Sequence, residues 1–245
     1  MKDPLGDRMK QYENSYRFHL TEKLPVLIRL DGKAFHSYTK QCNKPYDDRI
    51  IECMRKASTI LCQNISNVKL AYTQSDEISL LLINYTNINT QSYLKNNIQK
   101  IVSVAASIAS VEFTLAYNNL FKTIKPAYFD ARAFILPKEE VNNYFVWRQN
   151  DCRRNSILVA AQSQFSAKQL HGKNKLELKQ MLLSKNVDWE NFSNKYINGT
   201  TIIKTNINNR SKWIVDEFTP IFSKNKNYIE KYVNLLDKID AQPIP

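Results

Sequence analysis

The stretch from Leu70 to Leu82 constrains the fold more than any other part of the sequence. It consists of two apolar runs on either side of the polar segment Gln74-Ser75-Asp76-Glu77. Apolar runs of this length around a turn signal predict the two strands of a β-hairpin. The tip of that hairpin carries two adjacent carboxylates that repel each other, so a hard divalent cation with oxygen ligands is the expected partner.

A further carboxylate is available upstream. Residues 25–30 form an apolar strand of the buried type that ends in Asp31-Gly32, where a glycine allows a sharp turn and a close approach to a ligand. Taken singly, Asp31 and Asp76 are explained more simply as ordinary turn residues. If the two strands are neighbours, the two side chains converge, with the Gly32 carbonyl as a third oxygen donor. Two carboxylates from adjacent strands suit metal-assisted phosphoryl or nucleotidyl transfer.

The order of predicted elements indicates the fold class. The N-terminal elements are a helix over 7–18, a strand over 25–30, a helix capped by Asp47 and running to about 63, the hairpin, a helix over 92–113 and a strand over 129–136. Without the first helix this is a β-α-β-β-α-β order, which is typical of ferredoxin-like domains. The first and third strands are neighbours in that order, so Asp31 and Asp76 meet at one edge. We therefore expect an α+β protein with a palm-like, ferredoxin-type core.

The character of the sequence changes near residue 136. We predict an N-terminal domain over 1–136, which carries the expected metal site, and a C-terminal lobe over 137–245. The lobe is predicted to contain an amphipathic segment over 138–148, separate helices over 151–165, 173–185 and 228–239, and a β-hairpin with strands over 199–204 and 212–216. The tip of this hairpin is polar and partly basic.

Charge favours a polyanionic partner. The 35 basic and 23 acidic residues give a net charge of +12, which suits nucleic acid first and an anionic membrane second, with a merely basic protein as the alternative. No apolar run reaches the ~18 residues of a membrane span, so we expect no membrane. The N-terminus resembles neither a signal nor a transit peptide, which predicts an intracellular, most simply cytoplasmic protein, with a mitochondrial location left open.

Several site classes are excluded by residue type. The four cysteines show no CxxC spacing and there are three histidines, so neither a zinc site nor a disulfide framework is expected. The four glycines form no phosphate-binding loop. Phosphate contacts are instead expected from Arg29, Lys44, Ser75 and Arg132. His36 is the histidine nearest the predicted site, where it would orient a phosphate or shuttle a proton; a plain loop histidine is the alternative.

A second cluster spans residues 144–156, where aromatic residues alternate with three arginines. This composition suits stacking and phosphate contacts on RNA. A helix packed through its aromatic residues, with its arginines facing outward, would give the same pattern.

Six segments together resemble the tRNA(His) guanylyltransferase family. They are Gly6-Asp7-Arg8-Met9-Lys10-x-Tyr12-Glu13, Arg29-Leu30-Asp31-Gly32-x-x-Phe35-His36, Lys44-Pro45, Tyr72-x-Gln74-Ser75-Asp76-Glu77-x-Ser79, Phe129-Asp130-x-Arg132 and Trp147-Arg148-Gln149-x-Asp151. The resemblance runs in order from about residue 5 to 165. It is weaker at His171-Gly172-Lys173 and Val187-Asp188-Trp189.

The resemblance implies nucleotide addition in the 3′→5′ direction at a tRNA 5′ end, after ATP activates the 5′-phosphate. ATP, GTP and other NTPs would be substrates, two Mg²⁺ ions the cofactors, and a homotetramer the assembly. It implies metal ligation by Asp31, the Gly32 carbonyl and Asp76, with catalytic support from Glu77 and His36. The implied nucleotide- or phosphate-binding residues are Arg29, Lys33, Ala34, Phe35, His36, Lys44, Asp47, Ser75, Asp76 and Asn155. The resemblance also implies catalysis in the domain over 1–136 and tRNA binding and assembly in the lobe over 137–245. The expected tRNA contacts are Arg132, Arg148, Arg153, Arg154 and Arg210.

One departure from the family pattern refines this expectation. Eukaryotic guanylyltransferases carry His-Ile-Asn just after the Asp-Cys pair, whereas Asp151-Cys152 is followed here by Arg153-Arg154-Asn155-Ser156. This looks like the guanylyltransferase-like branch, which favours templated repair of 5′-truncated tRNA. The alternatives are guanylate addition to tRNA(His), a non-catalytic basic RNA-binding protein on a palm-like fold, and a nucleotide cyclase.

Overall fold

A computed structural model describes residues 3–87, 89–207 and 210–234. The strands are β1 (Val26–Gly32), β2 (Val68–Gln74), β3 (Glu77–Leu82), β4 (Phe129–Ile135), β5 (Thr200–Ile207) and β6 (Arg210–Asp216). The longer helices are α1 (Pro4–Asn14), α3 (Asp48–Asn64), α4 (Ile98–Phe121), α5 (Lys138–Gln162) and α7 (Lys175–Leu183). Single-turn helices are α2 (Phe35–Tyr38), α6 (Ala167–Leu170), α8 (Asn194–Ile197) and α9 (Asn227–Glu230). Short 3₁₀ turns cover Tyr93–Asn96 and Trp189–Asn191.

The six strands form one antiparallel sheet in the order β4-β1-β3-β2-β5-β6. Strands β1 to β4, with α3 and α4 as crossover helices, have the β-α-β-β-α-β order predicted from the sequence. Strand β1 lies between β3 and β4, as that topology requires. The α+β fold class is therefore confirmed. Asp47 caps α3 as predicted, because its Oδ1 accepts the backbone N–H of Arg49 at 3.1 Å.

Alternation along the strands separates two apolar cores. One side chain set, including Ile28, Leu30 and Ile78, packs with α3 and α4. The other set, including Leu27 and Leu81, packs with Val141, Tyr144 and Phe145 of α5. Each fully buried aliphatic side chain contributes about 1.5–3 kcal/mol, so burial on both faces fixes the register of the central strands.

The predicted hairpin of the C-terminal half is present as β5–β6, but its pairing with the main sheet was not predicted, and one predicted helix boundary is wrong. The hairpin β5–β6 extends the main sheet, with Leu70 of β2 opposite Ile203 of β5, so the sheet contains strands from both sides of residue 136. The division into two lobes stays a prediction. Residues 138–162 form one continuous helix, α5, rather than an amphipathic segment followed by a new helix near Asp151.

Element ends also differ. The first helix covers Pro4–Asn14 rather than 7–18, and the long helix begins at Ile98, after a 3₁₀ turn, and ends at Phe121. The last described helix is the single turn Asn227–Glu230. The rest of its predicted span lies partly outside the described residues, as do Asn208 and Asn209 of the hairpin tip.

Helix α4 is long and apolar enough, by length and composition, to cross a membrane, although no apolar run in the sequence suggested a span. The same test is passed by a helix that packs on a sheet, and α4 does this through Ile101, Ala105 and Phe113. Its outer face is nonetheless apolar, with Val111 54% and Leu115 57% exposed.

Candidate active site

Polar residues replace apolar ones at one end of the sheet face that α5 covers. On β1, Asp31 lies directly opposite Glu77 of β3, and Arg29 lies opposite Ser79. Directly opposite residues of antiparallel strands share a face, so these side chains lie on the face of Leu27, beyond its apolar part. The alternation that builds the core therefore also places two carboxylates and a guanidinium together.

The β2–β3 turn brings the third carboxylate. Strand β2 ends at Gln74 and β3 begins at Glu77, so Ser75 and Asp76 form a two-residue turn. Ser75 adopts a positive φ of 51°, in the region that such tight turns use. The backbone N–H of Gly32 donates to the carbonyl oxygen of Asp76 at 3.1 Å. This bond fastens the turn to the end of β1 and brings Asp31 and Asp76 into one site, where the sequence placed them.

A cleft of about 370 Å³ lies between this end of the sheet and α5. The sheet contributes Arg29, Asp31, Gln74, Ser75, Asp76 and Glu77. Helix α5 contributes Trp147, Arg148, Asp151 and Asn155. Seven of these ten were predicted as site residues; Gln74, Trp147 and Asp151 were not. The spacing of 147, 151 and 155 places three side chains on one helical face, and this signal would have found Trp147 and Asp151 had α5 been predicted as continuous.

The carboxylates are close and incompletely neutralised. Burial raises the pKa of the Asp76 carboxyl, and the negative charge of Asp31 raises it further. Burial also raises the pKa of Glu77, although the neighbouring Arg148 acts in the opposite direction. A cation between Asp31 and Asp76 would offset the repulsion that adds to the effect of burial on Asp76.

The donor set fits Mg²⁺. The Asp31 and Asp76 carboxylates line the cleft, whereas Gly32, the predicted carbonyl donor, is not among the lining residues. Carboxylates are hard oxygen ligands, and Mg²⁺ in proteins takes one or two of them and completes its octahedron with water and phosphate oxygens. Within the described ranges no group of three or more His, Cys, Asp or Glu side chains could hold a metal ion. A cation here would therefore depend on the backbone, water and substrate for its remaining ligands.

Position 32 requires a glycine for a reason other than the predicted sharp turn and close approach to a ligand. Strand β1 continues through Gly32, and a Cβ there would lie 2.3 Å from the ring of Phe35. The glycine is therefore required by the packing of Phe35, whose side chain is buried against Tyr38, Phe113 and Phe129.

Arg148, which was predicted as a tRNA contact, has a buried side chain. Its side chain is 9% exposed. Its Nε donates to Glu77 Oε1 at 2.8 Å, and a terminal nitrogen donates to Asp151 Oδ2 at 2.8 Å. Burial and these two carboxylates commit Arg148 to the wall of the cleft. Arg154, on the outer side of Asp151, is 76% exposed and pairs with the same carboxylate.

The remaining predicted nucleotide-binding residues follow β1 and do not line the cleft. Lys33, His36 and Lys44 are exposed, and Ala34 has a positive φ of 56° where α2 begins. Phe35 belongs to the core. The Asp47 carboxylate caps α3 and pairs with the Arg49 guanidinium at 2.7 Å, which lowers its pKa to about 2. The nucleotide-binding roles of this group stay predictions.

The other predicted tRNA contacts are dispersed. Arg132 is half exposed on β4, with a terminal nitrogen 3.6 Å from Asp130. Arg153 lines a second cleft on a different side of α5. Arg210 begins β6, and the strand register places it at the end of the sheet opposite the Ser75–Asp76 turn. No single surface therefore holds all five arginines.

Comparison with known proteins gives a consistent result. Residues 6–137 match the sequence family described as tRNA(His) guanylyltransferase (Thg1). A probable tRNA(His) guanylyltransferase from Dictyostelium discoideum is 25% identical over 89% of this chain and 88% of the relative. A bacterial tRNA(His) guanylyltransferase (Thg1)-like protein in complex with ATP is 45% identical, with a TM-score of 0.90 over 94% of this chain and 99% of that one. Such a protein in complex with GTP is 42% identical, with a TM-score of 0.83 over 95% of this chain and 100% of that one.

Proposed function

Because this chain belongs to the tRNA(His) guanylyltransferase family and is a nucleotidyltransferase, we propose that it adds nucleotides in the 3′→5′ direction to the 5′ end of truncated tRNA, selected by pairing with the opposite strand. The observation that carries the proposal is the convergence of Asp31 and Asp76 in the cleft between the sheet and α5. The related structures bound to ATP and GTP support nucleoside triphosphates as substrates.

The cleft offers separate groups for the parts of a nucleotide. Its cationic and neutral polar groups, Arg29, Ser75 and Asn155, suit triphosphate oxygens, because a guanidinium, a hydroxyl and an amide all donate hydrogen bonds. Trp147 is 53% exposed, and the guanidinium carbon of Arg29 lies 5.5 Å from its ring centroid. An exposed indole beside a cation is a suitable surface for a base.

Asp31, Asp76 and the Gly32 carbonyl are the groups that would hold Mg²⁺. When bound, Mg²⁺ supplies charge neutralisation at the phosphoryl group and lowers the pKa of an attacking hydroxyl. The Glu77 carboxylate is not expected to bind the metal ion, because it accepts a hydrogen bond from Arg148. Its role is to hold Arg148, and through it Asp151, so that the α5 wall stays in place opposite the turn.

The proposal is tested with a 5′-monophosphorylated tRNA that lacks its first nucleotide, together with ATP, the four NTPs and Mg²⁺, while the opposing base is varied. Extension that follows Watson–Crick pairing is the expected result. Addition of G alone, and to tRNA(His) alone, would replace the templated assignment by the guanylate-adding one. Tight tRNA binding without any addition would indicate a non-catalytic RNA-binding protein.

The proposed metal site can be tested by replacing its carboxylates and, as a control, a nearby carboxylate outside the cleft. Asp31→Asn and Asp76→Asn are each expected to reduce the rate by about 100-fold or more, since loss of ~3 kcal/mol of transition-state stabilisation has that effect. Asp130→Asn is the control, because Asp130 lies opposite Asp31 on β4 but outside the cleft and is 60% exposed. Mg²⁺ should raise the melting temperature of the wild type and of Asp130→Asn, but not of Asp76→Asn.

A homo-oligomer is part of the proposal, with the tetramer as the expected form. Helix α1 has 11 residues and none of them is buried, although Leu5, Met9 and Tyr12 are apolar or aromatic. An isolated helix of this length is marginal in water, so a partner surface is needed to stabilise it. The exposed apolar face of α4 is nearly free of charge and suits a second copy. Light scattering should show a tetramer, and Val111→Glu should reduce its mass.

A further inference from the structure

A second cleft, of about 250 Å³, shares no lining residue with the first. It lies between α5, the 3₁₀ turn Trp189–Asn191 and α8. Arg153 lines it from α5, Trp189 and Glu190 from the turn, and Asn198 from the end of α8.

Three cations converge on the ring of Trp189. The Arg153 guanidinium carbon lies 5.5 Å from the ring centroid, Lys175 Nζ 5.3 Å and Lys179 Nζ 5.4 Å. Lys175 begins α7, so the positive end of that helix dipole adds to the same field. The positive charges of Arg153 and Lys179 help to lower the pKa of Lys175, after the larger effect of burial. The three groups are thus close enough to repel one another.

Acidic groups offset little of this charge. Glu190 pairs with Lys179. Arg153 donates instead to the neutral Asn198 Oδ1, and in the described part of the chain neither Arg153 nor Lys175 has a carboxylate within ion-pair distance. Asp188 is occupied in capping the 3₁₀ turn, where it accepts bonds from Glu190 N–H and the Asn191 amide. Together with the two lysines beside Trp189, the cleft therefore has three cations and one carboxylate, that of Glu190, which leaves an excess of positive charge.

The side chains of the cleft are better suited to bind a phosphate group than a nucleobase. Trp189 is only 2% exposed, and its Nε1–H donates to Ser156 Oγ at 2.9 Å. Its ring holds the cations through their attraction to the π face, so it is not free to stack on a nucleobase. A guanidinium and two ammonium groups are the side chains that bind phosphate oxygens best.

Helix α5 connects this cleft to the first one. Asp151 and Asn155 face the first cleft, and Arg153, two residues after Asp151, faces the second. Residues two apart on a helix point about 200° apart, across a diameter of roughly 10 Å with side chains. One RNA chain that ends in the first cleft can therefore also reach the second.

We propose that the second cleft, together with the lysines beside Trp189, is a phosphate-binding subsite that holds the tRNA backbone through Arg153 of the cleft and the adjacent Lys175, an assignment that rests on the proposed function. Free nucleoside triphosphate offers the same phosphate chemistry. The two sources are distinguished by measuring the binding of tRNA and of ATP separately in the same variants.

The test uses Arg153→Gln/Lys175→Gln in the full chain. The control Lys56→Gln/Lys224→Gln also removes two positive charges, from exposed positions on α3 and near the C-terminus. Affinity for fluorescent 5′-monophosphorylated tRNA is expected to fall about 10-fold or more, and the slope of log K against log [salt] to decrease by about 1.5–2, as for two lost phosphate contacts. ATP affinity by calorimetry should not change, and the control should show less than a threefold effect on tRNA.

The outcomes separate the subsite from the proposed function. Loss of ATP affinity with unchanged tRNA affinity would overturn the RNA assignment, as would a variant that behaves like the control. Subsite-dependent tRNA binding without nucleotide addition would leave the subsite standing and remove the proposed function. A wild type that binds no tRNA would remove both. Because Arg153 also bonds to Asn198, the single variant Lys175→Gln, which breaks no ion pair, checks that any loss does not come from unfolding.

Discussion

Replacing Arg148 by methionine is expected to lower the free energy of unfolding by about 3–5 kcal/mol. Arg148 and Glu77 are both 9% exposed and their N–O distance is 2.8 Å. Unit charges ~4 Å apart attract by about 4 kcal/mol at an effective dielectric constant of ~20. Removing one partner of such a buried pair leaves an uncompensated charge, which costs about 3–5 kcal/mol. Methionine is similar in length and flexible, so it leaves a small cavity term.

Denaturant unfolding without added metal measures this effect, and a double-mutant cycle isolates it. The double variant Glu77→Gln/Arg148→Met should lose less unfolding free energy than the two single variants lose together, by about 2 kcal/mol or more. The matched control is Lys173→Met, since Lys173 and Glu177 have the same N–O distance of 2.8 Å but are 40% and 36% exposed. That change should cost less than about 0.5 kcal/mol. A cost below about 1 kcal/mol for Arg148→Met, or no coupling to Glu77, would refute the reasoning.

Three further outcomes follow from local geometry. Asp47→Ala should cost about 1–2 kcal/mol through loss of the α3 cap. Because the pKa of Asp47 is lowered to about 2, the stability of the wild type relative to Asp47→Asn should be present above about pH 4 and lost as the pH falls towards 2; an advantage that survives at pH 2 would contradict this. Gly199→Ala should cost about 2–3 kcal/mol, because φ is +73° and the new Cβ would lie 2.6 Å from the Tyr72 hydroxyl. Gly172→Ala, with φ of +74° and open space around it, should cost only ~1 kcal/mol; thermal unfolding of both variants checks the difference.

The parts of the fold that local patterns specify were predictable. The Asp47 cap, the helix that follows it and the turn at Ser75–Asp76 each depend on neighbouring residues, so they could be recognised from the sequence. The convergence of Asp31 and Asp76 needed in addition the β-α-β-β-α-β order, which fixes β1 and β3 as neighbours.

The apolar periodicity of the sequence did not predict α5 as one helix, because the cleft interrupts that periodicity. In the middle of this helix most buried positions are polar, namely Arg148, Gln149 and Ser156, with Cys152 as the apolar exception. Arg148 is buried because it binds Glu77, and Gln149 because its side chain bonds to backbone atoms of Asn198, Pro220 and Phe222. Periodicity of apolar residues therefore stops where the helix crosses the cleft, and pattern analysis divides one helix into two. Pairing of β5 with β2 is set by partners far apart in sequence, which no local pattern reveals.

The pairing of β5 with β2 has a consequence for synthesis of the protein. Tyr72 on β2 donates to the carbonyl of Asn198, 126 residues later, so at ~5–20 residues per second the nascent chain waits roughly 6–25 s for this partner. During that interval β2 (Val68–Gln74), the strand that leads into the Ser75–Asp76 turn, is an unpaired and largely apolar edge. Such an edge can pair with other chains. The edge of β2 is thus covered late, although the turn itself needs only β1 to β3, and a chain cut off before residue 200 would be expected to aggregate rather than fold into a smaller unit.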